Sequence, residues 1–63
     1  MLPPISIAIL ELLAEELTES EIGACLEIEE STVRITIETL MSQTSTHSVI
    51  SLLKEAIRRG WIR

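Results

Sequence analysis

One imidazole, one thiol, ten carboxylates and five basic side chains make up the reactive inventory of this 63-residue chain, which contains no Asp, Tyr or Phe. His47 has no Cys, Asp or second His near it, so neither a zinc site nor an acid–base relay can be assembled around it. Cys25 has no cation beside it in sequence to stabilise a thiolate and reads as an ordinary surface thiol. No glycine-rich phosphate loop is present. Catalysis is therefore excluded as a function class, and no metal or cofactor is expected. The remaining chemistry is non-covalent recognition, and the charge pattern says where it is directed. Residues 1–33 carry eight glutamates and no base, whereas residues 34–63 carry Arg34, Lys54, Arg58, Arg59 and Arg63 against Glu38 and Glu55. The first half is strongly acidic and the second is basic, so the two should attract one another and the first should repel polyanions.

The side chains are positioned by helices. From Pro4, the residues Ile9, Leu10, Leu13, Ala14 and Leu17 recur at helical spacing and predict a first helix over about 4–16, with proline in the first turn where its missing N–H costs nothing. Thr18-Glu19-Ser20-Glu21 has the form of a capping box and starts a second helix over 19–26, with Ile22 and Leu26 on its inner face. Val33, Ile37, Leu40 and Met41 place a third helix over 30–43. The β-branched run Val33, Ile35, Thr36, Ile37 would suit a strand on propensity alone, but the helical period persists beyond it. Ser48 caps a fourth helix over 48–59, which Gly60 stops, leaving Trp61 and Ile62 to fold back. The expectation is an all-α fold: one compact four-helix domain over residues 1–63. A chain this short buries a modest core, and pairing with another chain would stabilise it.

No secretory or membrane segment is expected. The N-terminus lacks a basic region, and Glu11, Glu15 and Glu16 interrupt its apolar stretch. A single cysteine fits a reducing, cytoplasmic setting.

The most informative stretch is Glu19 to Leu40. A short helix with Ile22, Gly23 and Leu26, a turn with Ile28, and a helix with Val33 have the spacing of a helix-turn-helix, in which the second helix of the unit enters the DNA major groove. Gly23 is expected at the close approach, where a side chain larger than Ala would prop the two helices apart. In these residues the chain resembles the LuxR/GerE class of bacterial DNA-binding domains, without gaps from about Leu2 to Ile62. The resemblance rests on Leu10-Glu11-Leu12-Leu13-Ala14-Glu15, Leu17-Thr18, Glu21-Ile22, Leu26, Ile28, Thr32-Val33-Arg34, Ser48, and Arg58-Arg59-Gly60 with Ile62.

That resemblance implies a transcription-regulating module whose third helix reads DNA and whose fourth mediates dimerisation. Carried over residue by residue, the groove-facing positions are Ser31, Thr32, Arg34, Ile35 and Glu38, with Thr18 at a phosphate-contacting position. Arg34 would bridge guanine O6 and N7 or bind a phosphate, and Ile35 would meet a thymine methyl. The fourth helix has two apolar rows, Val49, Leu52, Ala56 and Ile50, Leu53, Ile57, of which a small core needs only one. A symmetric dimer is expected there, with Val49, Leu52, Leu53 and Ala56 as the contact residues.

Departures from the family's pattern matter as well. Positions 38, 47 and 49, frequently basic, are Glu38, His47 and Val49, and position 20 is Ser20. With Arg34 as the only strong cation on the face, binding to double-stranded DNA should be weak and salt-sensitive. Two usual glycines are Glu16 and Glu27, each costing roughly 1–2 kcal/mol if held at positive φ. Ile5 and Ile7 replace polar residues and mark a possible protein-partner surface. The alternative function is accordingly a protein–protein interaction module on the same scaffold, with DNA binding weakened or lost.

Overall fold

Each of the four helices in the computed structural model, which describes residues 1–63, ends in the same way, and this shared ending sets the architecture. The helices are α1 (Pro4–Ala14), α2 (Glu19–Leu26), α3 (Glu30–Thr44) and α4 (Val49–Arg58), and there are no strands. After α1, Glu16 takes φ 66° and the Leu17 N–H reaches back to the Leu12 carbonyl at 3.3 Å. After α2, Glu27 takes φ 58° and Ile28 donates to Gly23 at 2.9 Å. Ser45 (φ 56°) with Thr46 on Met41, and Gly60 (φ 76°) with Trp61 on Ala56, repeat the pattern. This is a Schellman ending, a left-handed residue followed by a six-to-one hydrogen bond that satisfies an otherwise orphaned carbonyl. Only Gly60 reaches that conformation without a Cβ penalty. Glu16, Glu27 and Ser45 each hold it at a cost of about 1–2 kcal/mol relative to glycine. The apolar residues that follow offset part of this, since Leu17, Ile28 and Trp61 all pack against the core.

The starts of the helices follow the sequence closely. Thr18 Oγ1 accepts the Glu21 N–H at 3.1 Å, and Glu21 Oε1 accepts the Thr18 N–H at 2.8 Å, which completes the capping box. Ser48 Oγ caps α4 by accepting from the Ser51 N–H at 3.1 Å. α1 stops two residues before the expected boundary because the Glu16 turn closes it, and α3 runs one residue further. Helix formation wins over strand propensity in α3, with the Thr36 and Thr44 hydroxyls turned back onto the Thr32 and Leu40 carbonyls, each at 2.8 Å.

The core is Ile9, Leu10 and Leu13 of α1, Ile22 of α2, Val33, Ile37 and Leu40 of α3, Leu52 and Ala56 of α4, and Ile62 from the tail. α2 and α3 form the most extensive pairing. Their corner turns on Gly23. A Cβ at that position would lie 2.9 Å from the Ile28 carbonyl oxygen and 3.5 Å from Glu30 Cα. The restriction is tighter than the sequence suggests: the first carbon already meets turn backbone, so alanine is also excluded without a shift.

Two surface expectations are corrected by burial. Leu52 and Ala56, placed by the sequence at a dimer contact, are completely buried in the chain's own core. Ile7 is half-buried against that core, so of the two isoleucines in the expected partner patch only Ile5 is exposed. No helix is long and apolar enough to cross a membrane.

Candidate nucleic-acid interface

The side of α3 opposite Val33, Ile37 and Leu40 contributes nothing to the core. Ser31, Thr32, Arg34, Ile35 and Glu38 all lie on it and all are exposed, Ile35 at 61%. The spacing follows from the helix: with 3.6 residues per turn, positions 31, 34, 35 and 38 fall on one side when 33, 37 and 40 fall on the other. α2 sets the start of this rod, because the Gly23 contact and the Ile28 turn bring the first turn of α3 against it. Ser31, Arg34, Ile35 and Glu38 therefore share one open side, and Thr32, also exposed, lies at its edge.

Thr18 is brought to the same end of the molecule but is only partly free. Its backbone N–H is already donated to Glu21 Oε1. The hydroxyl accepts the Glu21 N–H and keeps its own proton for donation.

Arg34 is where the geometry departs most from a simple cationic face. Its Nε donates to Glu19 Oε1 at 3.1 Å and its Nη2 to Glu30 Oε2 at 3.3 Å. Half of the Arg34 side chain remains exposed in this arrangement. Each ion pair, being solvent-exposed, contributes at most about 1 kcal/mol to folding. Their effect on the field is larger, because two carboxylates more than cancel the one cation, and Glu27, Glu29 and Glu38 add exposed negative charge around the α2–α3 corner and along α3. Glu30 could have been found from its i, i+4 spacing to Arg34. Glu19 is fifteen residues away, and only the packing of α2 on α3 brings it there.

Comparison with known families, curated proteins and solved structures returns no match.

On α4 the outward surface is apolar. Val49, Ile50 and Ile57 are 38%, 68% and 53% exposed, and Leu53 is half-buried. These four fall within one 100°-wide stripe beside the buried Leu52 and Ala56. The sequence placed Val49 and Leu53 at a contact surface and omitted Ile50 and Ile57, which the rotation of α4 exposes. Below Val49, Ile50 and Leu53 lies a shallow groove reaching Leu13, Leu17 and Ile37, with Glu16 and Glu19 on its rim. At the end of α4, Glu55 accepts hydrogen bonds from both Arg58 and Arg59. These hold its carboxyl down to about 2, the bond from Arg58 being the larger cause, while the Arg58 guanidinium is pushed up by the same contact. Arg59 also lies 5.2 Å over the Trp61 ring, a cation–π contact that fastens the tail. Cys25 and His47 are exposed.

Proposed function

We propose that this chain is a DNA-binding module of the LuxR type, acting in transcription regulation in a bacterial cytoplasm, with α3 as the element that enters the major groove. The observation that carries this reading is the open row Ser31, Thr32, Arg34, Ile35 and Glu38, held on a rod whose start is fixed by a corner that admits no side chain at Gly23. Arg34 donates to a guanine edge, Ile35 packs on a thymine methyl, Glu38 accepts from a cytosine amino group, and the Ser31 and Thr32 hydroxyls bond to phosphate or base. The Thr18 hydroxyl adds a phosphate contact from the start of α2. A second copy, joined through Val49, Ile50, Leu53 and Ile57, places another α3 one DNA turn away and compensates for the weakness of each half.

Fluorescence anisotropy with a randomised 24-base-pair duplex pool at ~50 mM salt tests this reading. Binding that is lost in Arg34→Ala is the expected result. No binding, or binding indifferent to that substitution, overturns it.

The acidic surround of Arg34 favours a second reading, a protein-interaction module on the same scaffold. There the α2–α3 face meets a basic partner and DNA is excluded. The same titration decides between them, because that reading requires a chain that folds, associates and ignores the duplex.

A further inference from the structure

We infer that Glu19 and Glu30 are positioning residues which convert Arg34 from a phosphate anchor into a reader of base edges, an inference that rests on the DNA-binding reading above. A guanidinium presents five N–H donors in a plane. Nε–H and one Nη2–H form its side edge, whereas the remaining Nη2–H and an Nη1–H form its end edge. Glu19 takes the Nε–H of the side edge and Glu30 one of the two Nη2–H groups, at 3.1 and 3.3 Å. Neither carboxylate bonds Nη1, so donors for guanine O6 and N7 remain on a side chain that is still half exposed.

The two carboxylates come from different elements, one from the first residue of α2 and one from the first residue of α3. Together they hold the arginine toward the N-terminal end of α3, the end from which a recognition helix contacts bases. Holding a flexible side chain in its bound geometry also lowers the entropic cost of recognition. The charge balance acts in the same direction. A lone arginine is drawn to phosphate, but a cation flanked by two anions carries net negative charge and is not, while its hydrogen bonds to an uncharged base are kept. Sequence discrimination is thereby favoured over affinity.

The experiment compares the wild-type chain, the double variant Glu19→Gln/Glu30→Gln and Arg34→Lys, using anisotropy on the randomised 24-base-pair pool across a salt series and sequencing of the bound fraction. Circular dichroism confirms that each variant is helical. The double variant is expected to bind the pool about fivefold more tightly, with a salt slope steeper by about 0.9 as Arg34 gains a phosphate contact. Its selected sequences should lose the guanine preference of the wild type. Arg34→Lys, which keeps the charge but has no edge, should retain pool affinity and lose the same preference. An unchanged affinity and slope in the double variant, or a preference as sharp as in wild type, overturns the positioning role while leaving DNA binding intact. Absence of binding by all three proteins overturns the DNA-binding reading and this inference with it.

Discussion

α3 and α4 each bury one face in the same core and offer the other to solvent, and those outer faces are built from opposite materials. The outer face of α3 is polar, with Ser31, Thr32 and Glu38 around one arginine held between two glutamates. The outer face of α4 is an apolar stripe, and at its end one glutamate is held between two arginines. The two ionic clusters are inverses in composition and leave residual charges of opposite sign. Two helices with similar inner faces thus present different chemistry to solvent: α3 hydrogen-bonding and charged groups, α4 an apolar stripe. A polar face over a stable core costs nothing in water, whereas an apolar stripe that stays uncovered forfeits burial energy of about 25 cal/mol for each Å² left exposed. Covering the outer face of α4 would therefore stabilise the chain more than covering that of α3.

The comparison is sharpened most strongly by separating the inner and outer faces of α4. Leu52→Ala is expected to cost about 2–5 kcal/mol, comparable to the whole stability of a domain this small, and to leave the chain largely unfolded by circular dichroism at 25 °C. Ile50→Ser, two residues away but on the outer stripe, should change monomer stability by less than about 0.5 kcal/mol and instead weaken self-association in sedimentation velocity. If Ile50→Ser proved as damaging to the monomer as Leu52→Ala, the division into inner and outer faces would break.

A smaller loss is expected at the corner that orients α3. Gly23→Val forces a branched side chain against the Ile28 carbonyl and should cost about 1–3 kcal/mol in urea denaturation, with duplex binding falling further than stability alone explains. Equal losses in both would mean that the corner serves the core and not the direction of the rod.

The mildest test is ionic. Because the Glu55 carboxyl is held at about 2 against an ordinary 4.5, whatever the cluster adds to the folded state is fully present above the ordinary value, declines as pH drops below it and is lost once pH has fallen through about 2. Carbon-detected NMR titration of Glu55 should give a midpoint near the low value. In Arg58→Ala, which removes the larger hydrogen bond, the midpoint should rise toward 4.5. A midpoint already at 4.5 in the wild type would remove the inverse cluster from the comparison.

Much of this was readable from the chain, and for a definite reason. The capping box at Thr18 and Glu21, the Ser48 cap and the Gly60 stop all arise from residues within five positions of one another, whereas Glu16 and Glu27 were marked by the resemblance, as positions where glycine is usual. The row on α3 came from the family resemblance, and the structure leaves those positions exposed because the apolar residues at 33, 37 and 40 turn inward. What failed was the choice between the two apolar rows of α4. Both have helical spacing, and nothing local distinguishes them. The same holds for Ile5 and Ile7, equivalent in chemistry but set 200° apart around α1.

The residues alone indicated four helices, where they begin and the Gly60 stop, because capping hydrogen bonds and side-chain periodicity along a helix act over four or five residues. Only the tertiary structure decided that Leu52 and Ala56 belong to the core, that Ile50 and Ile57 do not, and that Arg34 meets Glu19 across fifteen residues. Those outcomes depend on the rotation of each helix about its axis when it docks, which is set by the fit of all ten core side chains together.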